Sequence, residues 1–166
     1  MTKDNLYFFN PKNLQEPVFF HFVLAESPFL MSGNYMAPWP EVKENEIFLS
    51  VESYFIYDVL HLLQSANSAF DEYGVTDYYE ENAIKLYTLI KTSIEENIDL
   101  DEISFRKKYD NSFDFLNDMD NECLVSYNDE TDFQKIKSEI QLILHILYNA
   151  LDIAIKENKS VSILGI

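Results

Sequence analysis

Glycine is scarce in this 166-residue chain, with only Gly33, Gly74 and Gly165. Phosphate-cradling loops need several glycines close together, so nucleotide-loop motifs are excluded. Cysteine occurs once, at Cys123. A single thiol forms no internal disulfide, which fits a reducing compartment. Asp118, Asp120, Glu122 and Asp129 surround it in sequence and deny it the positive setting a reactive thiolate needs, so it reads as an inert small hydrophobe. Arginine also occurs once, at Arg106. No run is expected to cross a membrane, because Val18–Leu24 is short and Ile140–Leu151 is broken by polar residues. Met1-Thr2-Lys3-Asp4-Asn5 lacks the basic patch and apolar stretch of a secretory signal, so the expected location is cytoplasmic.

What the chain has in excess is negative charge. Asp and Glu number 29 against 12 Lys plus Arg, a formal net charge of -17. From Glu95 to Asp132 there are thirteen acids against the three bases Arg106, Lys107 and Lys108. A field of that sign repels nucleic acid and anionic membrane and attracts cationic surfaces. The composition is not that of a disordered acidic chain, since 47% of residues are hydrophobic and 15% aromatic. The length suits one domain over residues 1–166 with a substantial core.

Two organisational regimes follow one another. The first fifty residues hold all five prolines, together with Phe8, Phe9, Phe19, Phe20, Phe22, Phe29 and Trp39. Val18–Leu24 reads as a strand, and Ile47–Val51 as a second strand or the start of the next helix. From Val51 the period becomes helical: Val51, Phe55, Val59, Leu62 and Ala66 recur, widened by Ile56, Leu60 and Leu63. This helix should end before Gly74. Asp77 and Glu80 form a capping-box-like pair for a second helix whose buried stripe is Ala83, Leu86, Tyr87, Ile90 and Ile94. Asn97 is its expected stop. Asp101–Tyr109 and Phe113–Met119 read as short helices, anchored by Ile103, Phe105, Phe113, Phe115 and Leu116. The acids around them then line the wet side. Thr131-x-x-Gln134 caps the last helix, which carries Phe133, Ile136, Ile140, Ile143, Leu147, Leu151 and Ala154 to about Lys156. Ser160–Leu164 alternates and can pair with the N-terminal strand. The expected fold is therefore α+β and mainly helical, with three principal helices and a small N-terminal sheet.

Few constellations suggest chemistry. Asp118-x-Asp120-x-Glu122 starts as an EF-hand loop does, but Cys123 and Asp129 stand where that loop needs glycine and a bidentate glutamate. His21, His61 and His145 are too scattered for a metal cluster, and the last two read as packing residues inside apolar helices. No G-x-S-x-G or H-E-x-x-H occurs. Tyr73, Tyr78 and Tyr79 read as rings that cap the core with wet hydroxyls.

Phe70-Asp71-Glu72-Tyr73-Gly74-Val75-Thr76 leading into an amphipathic helix, and the Lys159–Ile166 ending, give residues 50–166 a general form. It resembles the small immunity proteins of bacterial contact-dependent inhibition and related polymorphic toxin systems. These proteins have no diagnostic residues, so the resemblance transfers no site. It implies a cytoplasmic protein that binds a cognate toxin domain and blocks its activity; with the charge, the expectation is a basic partner domain and no catalysis, cofactor, nucleic acid or membrane. Acidity points to a nucleic-acid-degrading partner, because such an enzyme's cleft is basic. The expected contacts are Asp99, Asp101, Glu102, Asp110, Asp114, Asp118, Asp120, Glu122, Asp129 and Glu130, with Tyr109 and Tyr127 as anchors. Two alternatives belong to other classes. One is a metal-dependent enzyme using Asp118, Asp120 and Glu122, with His61 and His145 as remote candidates. The other is a non-catalytic subunit of a larger assembly, docked through the last helix.

Overall fold

Five short segments pair into one sheet, in the order β1-β3-β2-β5-β4. The computed structural model describes residues 7–8, 19–29, 42, 46–113 and 129–165. The strands are β1 (Tyr7–Phe8), β2 (Phe19–Ala25), β3 (Ile47–Glu52), β4 (Val75–Tyr78) and β5 (Ser160–Leu164). β3, β2, β5 and β4 pair antiparallel, and the two-residue β1 lies parallel to β3 at one edge. The helices are α1 (Ser53–Ala66), α2 (Glu81–Asp99), α3 (Glu102–Lys108) and α4 (Asp129–Glu157). The architecture is α+β and mainly helical, as expected.

The period of two assigns each strand two faces. Phe20, Phe22, Leu49, Val51, Tyr78, Val161 and Ile163 point into the main core with the helices. Val23, Val75 and Leu164 form a smaller cluster with Ala25, Phe29, Val42 and Ile47. A register shift between Phe22 and Val23 marks an irregularity where β2 passes β3. Burying each large aliphatic or aromatic side chain of the main core contributes about 1.5–3 kcal/mol relative to exposure.

Several boundaries differ from the sequence expectation. Ile47–Val51 is strand, and Val51 faces the core from β3 instead of opening the first helix. The chain passes from β3 into α1 without a linker. Asp77 caps no helix: it sits in β4, where its carboxylate accepts the Ser162 hydroxyl of β5. α2 starts four residues later, at Glu81, with no side-chain cap. Glu80 precedes it with φ 49°, a sign that residues other than glycine rarely adopt. The tail pairs with the N-terminal strand as expected, so the sheet is assembled from both chain ends rather than from the N-terminus alone. Pairing with β5 takes Asp77 instead of the helix cap, and local spacing does not show it because β5 arrives from 85 residues away.

α4 is the longest element, 29 residues or about 43 Å. It begins at Asp129, so Thr131 lies inside the helix rather than before it. By length and composition alone, Ile136–Glu157 is apolar enough to cross a membrane, contrary to the expectation from its polar interruptions. In the fold, Ile140, Leu144, Leu147 and Leu151 of this segment are buried in the main core. Tyr148 of α4 stacks on Tyr87 of α2 at 4.6 Å between centroids.

Candidate partner-binding face

The corner between α2 and α3 carries most of the described acids of the acidic region. α2 runs two residues past Asn97, and Leu100 breaks it in an extended conformation. Asp101 then caps α3, its Oδ1 accepting the Ser104 backbone N–H at 2.9 Å. That bond stabilises the carboxylate and holds Asp101 below the ordinary carboxylate range. Arg106, Lys107 and Lys108 fill the last turn of α3, where cations suit the helix dipole.

The core side of this corner is aromatic. Phe105 meets Tyr109, Phe113 and Phe133 at 4.8, 6.3 and 5.8 Å between centroids. The Arg106 guanidinium lies 4.7 Å over Phe113, and the Lys137 ammonium 5.2 Å over Phe105. Tyr109 is buried here, so it is no surface anchor. Its hydroxyl accepts from Asn97 Nδ2 at 2.7 Å and lies 3.4 Å from Ser93 Oγ. Burial pushes the phenol's pKa up.

The solvent side combines acids with two aliphatic side chains. Asp99, Asp101, Glu102 and Asp110 are exposed. Ile98 is 67% and Ile103 82% exposed beside them in sequence. Ile103 therefore does not anchor α3, contrary to expectation. Two residues of helix rotate a side chain by about 200°, so Phe105 facing inward places Ile103 outward. Part of the acidity is answered internally. Glu102 pairs with Arg106 at 2.8 Å and Glu96 with Lys108 at 3.3 Å. Among the described residues, no Lys or Arg lies within ion-pair distance of Asp99, Asp101 or Asp110.

Asp114, Asp118, Asp120, Glu122 and Tyr127 lie outside the described residues, as do Cys123 and most of the expected helix over Phe113–Met119. Asp129 and Glu130 open α4. From Asp110 to Asp132 the sequence holds eight acids and no base, so charge density rises beyond Asp110.

The histidines do not pack as expected. His61 and His145 are exposed on α1 and α4, and His145 Nδ1 lies 2.7 Å from the Gln141 carbonyl. His21 Nδ1 lies 2.8 Å from Ser50 Oγ, and burial lowers the ring's pKa. Among the described residues, no group of three or more His, Cys, Asp or Glu side chains is placed to hold a metal ion. Tyr78 is buried and donates its hydroxyl to the Leu63 carbonyl at 3.0 Å, so its hydroxyl is not wet.

One buried acid was not anticipated. Asp58 sits in α1 and accepts four hydrogen bonds from Asn111 and Ser112. Its signal in the sequence is an acid inside the apolar run Phe55-Ile56-Tyr57-Asp58-Val59-Leu60. It ties α1 to the helical residues 110–113 that follow α3 and thereby sets the position of Asp110. Compared with protein-family models, curated proteins and solved structures, the chain matches none.

Proposed function

We propose that this chain is an inhibitory binding protein that engages a basic, nucleic-acid-degrading toxin domain through the α2–α3 corner, in the manner of an immunity protein acting in the cytoplasm. The observation that carries the reading is the exposure of Ile98 and Ile103 among Asp99, Asp101 and Glu102. A solvated acidic face alone needs no large aliphatic groups. An interface needs both: apolar side chains to desolvate at its centre, and charges that steer encounter and answer the partner's lysines and arginines. The acids of 110–132 extend the same field.

The test uses the C-terminal domain encoded by the gene immediately upstream, which this reading expects to be a basic toxin domain. Asp99→Asn, Asp101→Asn, Glu102→Gln and Asp110→Asn together keep the α3 cap, because asparagine also accepts from the helix N–H groups. This variant should slow association and flatten its dependence on salt. Ile103→Ser should instead speed dissociation. Unchanged association and dissociation rates in both variants, with folding intact, would overturn the reading.

A further inference from the structure

An exposed stripe of α2 leads away from the α2–α3 corner. Ile84, Thr88, Lys91, Glu95 and Ile98 repeat at alternating fours and threes, and all five are exposed. That spacing keeps them on one face of the helix. The buried stripe of Ala83, Leu86, Ile90, Ser93 and Asn97 faces the other way, into the core. Ile98 belongs to the corner already described. Ile84 stands on the same face, about 21 Å away along the helix axis.

At that far end the stripe runs into a cleft. The start of α2 and the end of α4 border a space of about 370 Å³, and Tyr79, Glu80, Glu81, Ile84, Ile155 and Asn158 are among the residues lining it. The two walls are fixed relative to each other. The Tyr87 and Tyr148 rings stack between the helices, and the Tyr79 hydroxyl donates to Asn158 Oδ1 at 3.1 Å where the two helix ends meet. The walls are partly apolar, with Ile84 53% and Ile155 36% exposed. The rim is acidic. Glu80 and Glu81 are exposed, and among the described residues no Lys or Arg lies within ion-pair distance of either. Lys159 also reaches the cleft, but its ammonium is held by Glu157 at 2.8 Å and Glu26 at 3.1 Å. Glu80 has φ 49° and ψ -118°, a backbone that suits glycine, so a carboxylate occupies this rim position against its local preference.

We propose that the partner-binding face runs the length of α2, from the α2–α3 corner to this cleft, and that the cleft takes an aliphatic side chain flanked by a lysine or arginine of the basic partner. The inference rests on the reading of a basic partner and gives that partner a second anchor point. Charge complementarity and continuity with the corner select the occupant. Each end of the stripe sets an exposed isoleucine among acids: Ile98 beside Asp99 and Asp101, and Ile84 with Glu80 and Glu81. Between them Lys91 faces Glu95 at 4.0 Å, so the middle of the stripe carries no net charge. Lys85, the other cation of α2, projects about 100° round the helix from Ile84. An interface of standard size, about 800 Å² per partner, is roughly 30 Å across, so one partner reaches both ends. The stem of a lysine or arginine packs on apolar surface while its head stays among carboxylates. Walls as exposed as Ile84 and Ile155 suit a segment lying across them better than an enclosed small molecule.

The test combines isoleucine-methyl NMR with binding kinetics on the full chain, using as probe the C-terminal domain encoded by the gene immediately upstream. Binding should shift the Ile84 and Ile155 methyls together with those of Ile98 and Ile103. Ile84→Ser should speed dissociation about five- to thirtyfold, the effect of losing a central apolar contact. Glu80→Gly with Glu81→Gln should slow association and flatten its dependence on salt. Glycine fits the backbone at position 80, so thermal melting of this variant should show no loss of stability, and its slower association then reports the missing carboxylates. Methyl shifts confined to Ile98 and Ile103, with Ile84→Ser binding like the parent, would overturn the extended face and spare the basic-partner reading. Shifts confined to Ile84 and Ile155 would overturn the corner and the continuous face together. An upstream domain that is not basic, or that does not bind, would overturn both this inference and the reading it rests on.

Discussion

The Asp58 carboxylate in α1 and Ser112, fifty-four residues later, are joined by two hydrogen bonds: Ser112 N–H to Oδ2 at 2.9 Å and Ser112 Oγ to Oδ2 at 2.5 Å. Asn111 fills Oδ1 through its backbone N–H at 3.0 Å and its Nδ2 at 2.8 Å. A single carboxylate thus stitches the first helix to the chain just beyond α3. Asp58→Ala removes the acceptor and leaves buried donors without partners, an expected loss of about 3 kcal/mol in urea unfolding at neutral pH.

The pH dependence of that site has a definite sign. Burial raises the Asp58 pKa above the ordinary carboxylate value, outweighing the hydrogen bonds from Ser112 and Asn111 that lower it. Between the unfolded and folded pKa values the native chain holds more protons than the unfolded one, so stability falls as pH rises through that window. Asp58→Asn abolishes this dependence. The stability of the parent minus that of Asp58→Asn should therefore rise on acidification through the raised pKa. A fall in that difference would show that the ionised form is the better-held one.

Tyr78 gives the corresponding prediction at alkaline pH. Its hydroxyl is buried on the Leu63 carbonyl, and burial pushes its pKa well above the ordinary phenol range. Tyr78→Phe should cost about 1 kcal/mol at pH 7, the usual net value of one such bond. The unfolded phenol ionises first, so the parent loses stability above the unfolded pKa while the variant does not. The difference should close within about one pH unit above that point, since one unit is worth about 1.36 kcal/mol. Thermal melts at pH 7, 10 and 11 check it.

The Tyr87 and Tyr148 hydroxyls lie 2.6 Å apart, with the rings stacked. The hydrogen bond to Tyr148 is the main reason the Tyr87 pKa is pushed up to about 12. Tyr148→Phe should bring Tyr87 back toward the ordinary phenol range. Ultraviolet absorbance titration should show this as one tyrosine moving from the late-ionising group into the ordinary phenol range, while buried Tyr78 and Tyr109 still ionise late.

α3 offers a contrast within three residues. Phe105 is buried among Tyr109, Phe113 and Phe133, so Phe105→Ala should destabilise by about 3–5 kcal/mol. Ile103→Ser should change stability by no more than about 0.5 kcal/mol, because its side chain stands in solvent. Chemical denaturation of the two variants separates a core anchor from a surface group.

Much of the helical layer is legible in the periodicity. The buried residues of α2 include Ala83, Leu86 and Ile90, as their spacing predicts. Asp101 caps α3, and Tyr109 ends it. These succeed because an amphipathic helix records its buried face within a dozen neighbouring residues. The roles of Asp77 and Tyr78 were not legible, because β4 exists only once β5 returns from the far end of the chain to pair with it. A short strand carries no internal hydrogen bonds, so its partner decides it.

The candidate site divides along the same line. Composition alone establishes the sign and concentration of charge, since no arrangement of these residues removes an excess of carboxylates between Glu95 and Asp132. Exposure was decided by tertiary packing. Tyr109 turned inward to meet Asn97, Ile103 turned outward, and Asp58 was drawn under the helical segment at Ser112. Each outcome depends on which face of one element meets another, a property of distances between segments that local spacing does not encode.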